Sequence, residues 1–204
     1  MEFSEVVRRR RMVRNYDPDR PLPAAVRDRL LATALRAPSA GFSQGWGFLV
    51  LEEAADRDRF WAVTTDPDAP PDRWLQALRR APLLVVCFSH KDAYLDRYAE
   101  PDKGWTDRDE SRWPVPYWDI DTGFAALLML LDAVDQQLGA CFFGVPPQYI
   151  DALRSAFGVP DGYRPVGVVS VGYPAPDRKS PSLRRGHRPV EQVVHHGRWS
   201  AAAG

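Results

Sequence analysis

The sequence predicts one domain of the α/β or α+β class, and three observations support this prediction. The chain has 204 residues, a length suited to a single domain with a sizeable core. Segments with the apolar spacing of helices alternate with short apolar runs that are typical of buried strands. No internal repeat and no low-complexity linker divides the chain. Residues 1–204 are therefore expected to form a single domain.

The first part of the chain reads as a helix, a strand and two short helices. Pro23 to Arg36 has helical spacing, and the Ala-Pro-Ser sequence that follows ends the helix. Trp46 to Glu52 is apolar for most of its length, which predicts a strand buried on both faces. Residues 57–63 and 72–80 predict short helices, separated by the Pro- and Asp-rich sequence TDPDAPP.

The second part contains further strands and the longest helix. Pro82 to Phe88 predicts a second buried strand. Tyr117 to Leu138 predicts the longest helix, and because its middle is apolar all round we expect it in the core. A strand at ACFF, a helix at 147–157 and a strand at 164–174 follow, and a basic tail at 174–204 shows no strong period.

Composition argues against several classes of protein. Lys plus Arg and Asp plus Glu number 27 each, whereas a dedicated nucleic-acid-binding domain usually has a basic excess. The longest apolar run, Gly123 to Leu131, is too short to span a bilayer, and no apolar stretch precedes residue 8 to suggest a signal peptide. We expect no nucleic-acid partner, no membrane association and a cytoplasmic location. Neither the cysteines nor the histidines have a spacing that predicts a disulfide framework or a metal site.

Two arginine clusters lie at opposite ends of the chain. Arg8 to Arg11 are followed closely by Arg14, and Arg184, Arg185 and Arg188 lie in the tail. Like charges repel, and guanidinium groups form bidentate hydrogen bonds with phosphate. The two clusters could converge on one dianion such as a phosphate monoester. Solvated surface charge is the alternative that composition alone favours.

Four segments follow the motif order of a known family. RRMVRNY (10–16) corresponds to the pattern R-R-S-x-R-x-[FY], and APSAGFSQGWGF (37–48) to A-P-S-x-x-N-x-Q-P-W-x-F. The segment DTGFAALLMLLDAVDQQLGACFFGV corresponds to the family's later helix and glycine turn, and RRGHRPVEQVV corresponds to its C-terminal motif. Over nearly its full length the chain resembles the nitroreductase family of FMN-dependent oxidoreductases.

The resemblance implies an α+β fold with a central mixed sheet flanked by helices, assembled as an intertwined homodimer. It also implies FMN as cofactor, NADH or NADPH as electron donor and a small-molecule electron acceptor, used in a ping-pong mechanism. The acceptor could be a nitroaromatic, a quinone or a specialised aromatic compound, and a deazaflavin donor stays open. The flavin supplies the chemistry, so no catalytic side chain is required.

The family's cofactor contacts are carried over to one set of positions, namely Arg10, Arg11, Met12, Arg14, Pro38, Ser39, Ala40, Phe42, Phe143, Gly144, Arg185 and Arg188. By analogy, Arg10, Arg11 and one tail arginine hold the phosphate and ribityl chain, and Arg14 lies beside the pyrimidine edge of the flavin. The Pro38–Ala40 segment would come from the other subunit. Phe143 and Gly144 would lie near the reactive nitrogen of the ring.

Three positions depart from the family pattern. Met12 replaces a serine, Phe42 replaces an asparagine and Gly45 replaces a proline. These changes remove polar groups near the ring and add apolar surface. They favour a narrower apolar or aromatic substrate over a general nitroaromatic reductase.

A charged loop at 101–118 contains several aromatic residues. Trp105, Trp113 and Tyr117, together with Phe42, are the predicted substrate pocket. The loop, within a possible lid or insertion at 89–117, could cover the flavin, or its rings could fasten it to the core or to a partner subunit.

Two other functions stay open at this point. The chain could store or sense FMN without turnover. It could also be a non-flavin module that binds an anion or a nucleic acid through its arginines.

Overall fold

The computed structural model describes residues 1–70, 72–177 and 180–199. Its centre is a four-stranded sheet, built from β1 (Trp46–Leu51), β2 (Leu83–His90), β3 (Gly139–Phe143) and β4 (Tyr163–Gly172). The spatial order is β1-β2-β4-β3, and each neighbouring pair is antiparallel. A parallel bridge joins Met12 to Ala140 at the β3 edge. The α+β class is confirmed, and parallel pairing in the described part of the chain is limited to this bridge.

Seven α-helices surround the sheet in the described residues: α1 (Phe3–Arg9), α2 (Ala24–Ala34), α3 (Ala54–Thr64), α4 (Arg73–Leu78), α5 (Lys91–Ala99), α6 (Tyr117–Asp135) and α7 (Ile150–Phe157). Apolar spacing predicted α2, α3, α4, α6 and α7. It did not predict α1 and α5, which are short, rich in charge and contribute few buried side chains. The segment expected to be a lid or insertion therefore contains a helix at its start.

The hydrophobic core lies on both faces of the sheet. On β2, Leu83, Val85 and Cys87 belong to the layer that includes α2 and α6. The alternate residues Leu84, Val86 and Phe88 belong to the layer formed with α3, α4 and α7. Because side chains alternate along a strand, burial of both faces requires a continuous apolar run. The prediction of a buried strand at Pro82–Phe88 is confirmed.

The prediction that β1 is buried on both faces is wrong. Only Leu51 of this strand is buried, and its other five residues are half-buried. The physical reason is position, because β1 lies at the edge of the sheet and pairs with β2 alone.

The prediction that α6 lies wholly in the core is wrong for one of its faces. Ala125, Met129 and Ala133 pack in the core layer. The opposite side exposes an apolar stripe, which consists of Tyr117, Ile120, Phe124 and Leu127. These four residues recur every three or four positions and so lie along one side of the helix.

The two ends of the chain meet beside the sheet. The backbone N–H of Asp17 donates to the carbonyl of Tyr173 at 3.0 Å, and that of Ala175 donates to the carbonyl of Asn15 at 3.1 Å. The buried Tyr16 hydroxyl donates to the carbonyl of Val13 at 2.7 Å, which fixes the turn between them. This pairing places the N-terminal arginine segment next to the chain that leaves β4.

Candidate cofactor and substrate site

A cavity of about 800 Å³, here named the large cavity, opens among the described residues. It lies between the segment Arg14–Asn15, helix α4 and the chain after β4. Its lining consists of Arg14, Asn15, Arg73, Trp74, Gln76, Ala77, Arg80, Pro176, Asp177, Ser180 and Pro181. Ligand pockets in proteins commonly have volumes of about 300–1,000 Å³, so this cavity can accept a small planar molecule.

Hydrogen bonds from both chain ends fix one end of the cavity. The backbone N–H of Arg14 donates to Oδ2 of Asp177 at 2.9 Å. The side-chain amide of Asn15 donates to the carbonyl of Pro176 at 2.8 Å, and its Oδ1 accepts a 3.5 Å contact from Arg80. Three guanidinium groups face a single carboxylate in the lining, so the cavity is positively charged.

Aromatic rings form a wall beside the cavity. The ring of Trp74 meets Phe143 edge-on at 6.1 Å, and Phe143 stacks on Trp61 at 5.7 Å. A Cβ atom added to Gly144 would meet no atom within 4 Å, so the backbone after Phe143 borders open space. A flat ligand could approach the main chain closely at this glycine.

The N-terminal arginines do not share one cavity in the single chain. Arg11 lines a smaller cavity of about 230 Å³, with Arg9 and the C-terminal end of α6. Arg14 lines the larger one. Met12 points toward the sheet, where its sulfur accepts the N–H of Phe142 at 3.4 Å. Arg10 is half-buried and lines neither of these cavities among the described residues.

The loop at 39–45 is held by a buried carboxylate. Asp121 on α6 is 3 % exposed, and its Oδ2 accepts the N–H of Ala40 and the hydroxyl of Tyr94, each at 2.8 Å. Burial, followed by the hydrogen bond to Asp121, raises the pKa of the Tyr94 phenol, which therefore stays protonated and donates. A Cβ atom on Gly45 would lie 2.5 Å from the Tyr94 ring, so a side chain there would displace the loop.

Phe42 is the exposed tip of this loop. Its φ of 57° is unusual for a bulky residue, and its side chain is 73 % exposed. Arg97 of α5 donates to the neighbouring Gly41 carbonyl at 2.9 Å, which holds the strained backbone in place. Within one chain, Pro38, Ser39, Ala40 and Phe42 are not among the described residues that line the large cavity.

The predicted pocket aromatics of the 101–118 loop pack against one another and against α5. Trp113 lies 4.6 Å from Tyr98, 5.7 Å from Trp105 and 5.7 Å from Tyr117, measured between ring centroids. The rings fasten the loop to the chain's own aromatic cluster. None of Trp105, Trp113 and Tyr117 lines the large cavity among the described residues.

The predicted tail arginines are exposed. Arg185 ends a short 3₁₀ turn, and Arg188 donates to the carbonyl of Gln192 at 3.2 Å. The tail reaches the large cavity through Ser180 and Pro181 rather than through these arginines.

Sequence reasoning missed the α4 residues of the cavity. For Arg73, Trp74 and Arg80 the sequence predicts only a short helix over 72–80. Arg73 and Ala77 lie four residues apart on one side of α4, and Arg80 follows two residues after its last residue, Leu78. This spacing, with a tryptophan beside the first arginine, was the available signal.

The described residues offer neither an activated thiol nor a metal cluster. Burial raises the pKa of the Cys87 thiol to about 12 and also raises the pKa of Cys141, so both stay protonated core residues. No group of three or more His, Cys, Asp or Glu side chains in the described ranges could hold a metal ion. No described helix combines the length and hydropathy that a membrane span requires.

Comparison with known proteins decides the family. The model of the nitroreductase family matches residues 7–173, which is most of the chain. The chain belongs to the nitroreductase family. Membership supports a general oxidoreductase role.

Several relatives of this nitroreductase-family chain have names that point to reduction chemistry. A Methanothermobacter thermautotrophicus protein named an NADH dehydrogenase/NAD(P)H nitroreductase is 27% identical over 179 residues, 86% of this chain and 78% of that protein. An iodotyrosine deiodinase of Haliscomenobacter hydrossis is 26% identical over 215 residues, 95% of this chain and 89% of the relative.

Solved structures share the fold. A nitroreductase family protein from Clostridium difficile has a TM-score of 0.72 at 22% identity. The match covers 98% of this chain and 100% of the Clostridium difficile chain. The NfrA1 nitroreductase of B. subtilis has a TM-score of 0.76 at 18% identity, over 99% of this chain and 76% of its own. At these identities the likeness shows the fold alone.

Proposed function

We propose that this protein is an FMN-dependent oxidoreductase of the cytoplasm, which uses NADH or NADPH to reduce a small organic acceptor. The observation that supports the proposal most strongly is the cationic cavity at Arg14, fixed by hydrogen bonds from both ends of the chain. Relatives named for NAD(P)H-dependent reduction support the donor.

The residues present fit a flavin mononucleotide. Arg14 forms no ion pair with another described residue, so its charge is available to an anionic edge of the ring. Phe143 is held by stacking on Trp61, and Gly144 leaves the backbone open beside it. Arg10 and Arg11, with Arg185 or Arg188, would provide the positive charge for the phosphate.

The site is completed by a second copy of the chain in this proposal. The loop with Pro38, Ser39 and Ala40 presents Phe42 to solvent, and the α6 stripe leaves four large apolar side chains exposed. A homodimer that buries this stripe would bring one protomer's 39–42 loop to its partner's cavity. The lid role of the 101–118 loop becomes less favoured, because its rings already pack against α5.

Bound FMN supplies hydride uptake and release, so donor and acceptor would use one site in alternation, in a ping-pong sequence. The chain's own groups bind and orient. Arg14 would stabilise negative charge on the bound cofactor, and Trp74 and Phe143 would shield it from water.

Steady-state kinetics test this proposal. The purified protein, supplied with FMN, is mixed with NADH or NADPH and with menadione or a nitroaromatic acceptor. We expect donor oxidation that depends on FMN and gives parallel double-reciprocal lines. A protein that binds FMN without oxidising either donor would instead be a storage or sensor protein. A colourless protein that binds DNA in a salt-sensitive way would be an anion-binding module.

A further inference from the structure

The large cavity has two ends that differ in what surrounds them. Arg73 is the first residue of α4, and Arg80 lies two residues beyond its last residue, Leu78, so the length of the helix separates them. Arg80 contacts Asn15, beside Arg14, so it marks the end assigned to the flavin under the proposed function. Arg73 and Trp74 therefore mark the opposite end of the same cavity.

The exposed side chain of Arg73 has no ion-pair partner among the described residues. Its guanidinium forms no hydrogen bond or ion pair with any described residue. Asp177 is occupied at the other end, where it accepts the N–H of Arg14. The adjacent Asp72 caps α4, because its Oδ1 accepts the N–H of Leu75 at 2.7 Å. A guanidinium in a cavity with no carboxylate partner among the described residues is suited to an anionic ligand.

Trp74 adds a surface for a ring. Its side chain is 43 % exposed, and its indole is oriented by the edge-on contact with Phe143. An exposed indole next to such a guanidinium can contact a planar ring and the negative group attached to it at the same time.

We propose that the Arg73–Trp74 end of the cavity binds the anionic group of an aromatic acceptor, such as an aromatic carboxylate. The inference rests on the proposed function and deepens it by naming the acceptor class. Sequence departures at Met12 and Phe42 favoured an apolar or aromatic acceptor. The positive charge of Arg73 indicates that this acceptor also carries a negative group.

Two acceptors that differ chiefly in charge provide the test. The anion para-nitrobenzoate and the neutral para-nitrobenzyl alcohol share the ring and the nitro group. Both acceptors are assayed for KM and kcat with the flavin-loaded protein, in wild type, Arg73→Gln and the control Arg79→Gln. Arg79 follows Arg73 by six residues and donates to the Thr65 hydroxyl at 3.1 Å. It is not among the cavity-lining residues, so the control variant removes the same charge outside the site.

We expect Arg73→Gln to raise KM about tenfold when para-nitrobenzoate is the acceptor, because a charge-assisted contact is lost. With the alcohol as acceptor, KM should change less than about twofold. Arg79→Gln should leave the KM for both acceptors unchanged. An equal rise for both acceptors, or a rise confined to the KM for NADH or NADPH, would overturn the proposal.

A binding measurement separates this proposal from the proposed function. Calorimetric titration of the purified protein with each acceptor requires no turnover. If the protein retains no flavin and oxidises no donor, the proposed function fails, yet tighter binding of para-nitrobenzoate that Arg73→Gln abolishes would still support the anionic end. Equal affinity for the two compounds in wild type would contradict it, whatever the flavin content.

Discussion

At the scale of single residues, the candidate site depends on contacts that lie outside the arginine motif. Asp121 and Tyr94, neither of which the sequence singled out, hold the loop that the family resemblance assigns to the flavin. Pairs of this kind bring together residues distant in sequence. Single-sequence patterns reveal a residue's type but not its partner.

Loss of the Asp121 carboxylate should destabilise the fold. Asp121→Ala leaves the Ala40 N–H and the Tyr94 hydroxyl buried without an acceptor, and each unpaired group costs about 1–3 kcal/mol. We expect the free energy of unfolding, measured by urea titration, to fall by about 2–4 kcal/mol. Tyr94→Phe removes one donor and should cost less. Equal stability of wild type and Asp121→Ala would show that this network contributes nothing.

Within the N-terminal arginine run, Arg8 provides a control for substitutions of Arg10 and Arg11. Arg10→Ala and Arg11→Ala should each lower the fraction of FMN retained after gel filtration, since a charge-assisted hydrogen bond contributes roughly 1.5–3 kcal/mol. Arg8 pairs with Glu5 on the exposed side of α1, so Arg8→Ala removes the same charge without this effect. Arg188→Ala should resemble Arg10→Ala. Unchanged flavin occupancy in Arg10→Ala, Arg11→Ala and Arg188→Ala would refute the phosphate assignment.

Phe42 offers a test of acceptor preference. Phe42→Asn restores the residue of the family pattern, and asparagine tolerates a φ of 57° better than phenylalanine, so the fold should be at least as stable. We expect FMN to stay bound and preference to shift toward polar acceptors, by about 1–3 kcal/mol in relative kcat/KM. If FMN affinity falls while acceptor ranking stays the same, Phe42 supports the cofactor rather than the substrate.

At the scale of elements, helices and strands were predicted correctly where burial determines the apolar pattern of the sequence. The continuous apolar run of β2 follows from its two covered faces, and the spacing of α2 follows from its single buried face. It failed for β1, because sequence does not reveal which strand lies at a sheet edge. It failed for one side of α6, because an apolar sequence does not reveal which side of a helix packs against the sheet.

The exposed stripe of α6 predicts self-association. Phe124 is 43 % exposed, and Phe124→Glu would place a charge in the apolar face. We expect light scattering to report a dimer for wild type and a shift toward monomer for the variant, accompanied by loss of FMN. Ser155→Glu, on the exposed surface of α7, adds the same charge as a control. A monomeric wild type with full flavin content would contradict a site shared between subunits.

At the scale of the whole molecule, the sequence predicted the fold class and the family more completely than the site. Four motifs in order led to the family. The pairing of residues 15–17 with 173–175 joins the N-terminal segment to the chain after β4, but it does not include the tail arginines. The cavity itself depends on α4 and the residues that follow it, and the role of Arg73 and Arg80 in its lining is visible only in the folded chain. Arg185 and Arg188 keep their predicted phosphate role as a proposal.

The visible absorbance spectrum of the purified protein, after reconstitution with FMN and gel filtration, is the decisive measurement of FMN dependence. We predict oxidised-flavin bands at a stoichiometry near one FMN per chain, bleached by NADH or NADPH under anaerobic conditions. Arg14→Gln should reduce the stoichiometry or slow the bleaching, because the cation at the ring edge is lost. A folded wild-type protein that emerges colourless after reconstitution would contradict an FMN-dependent oxidoreductase.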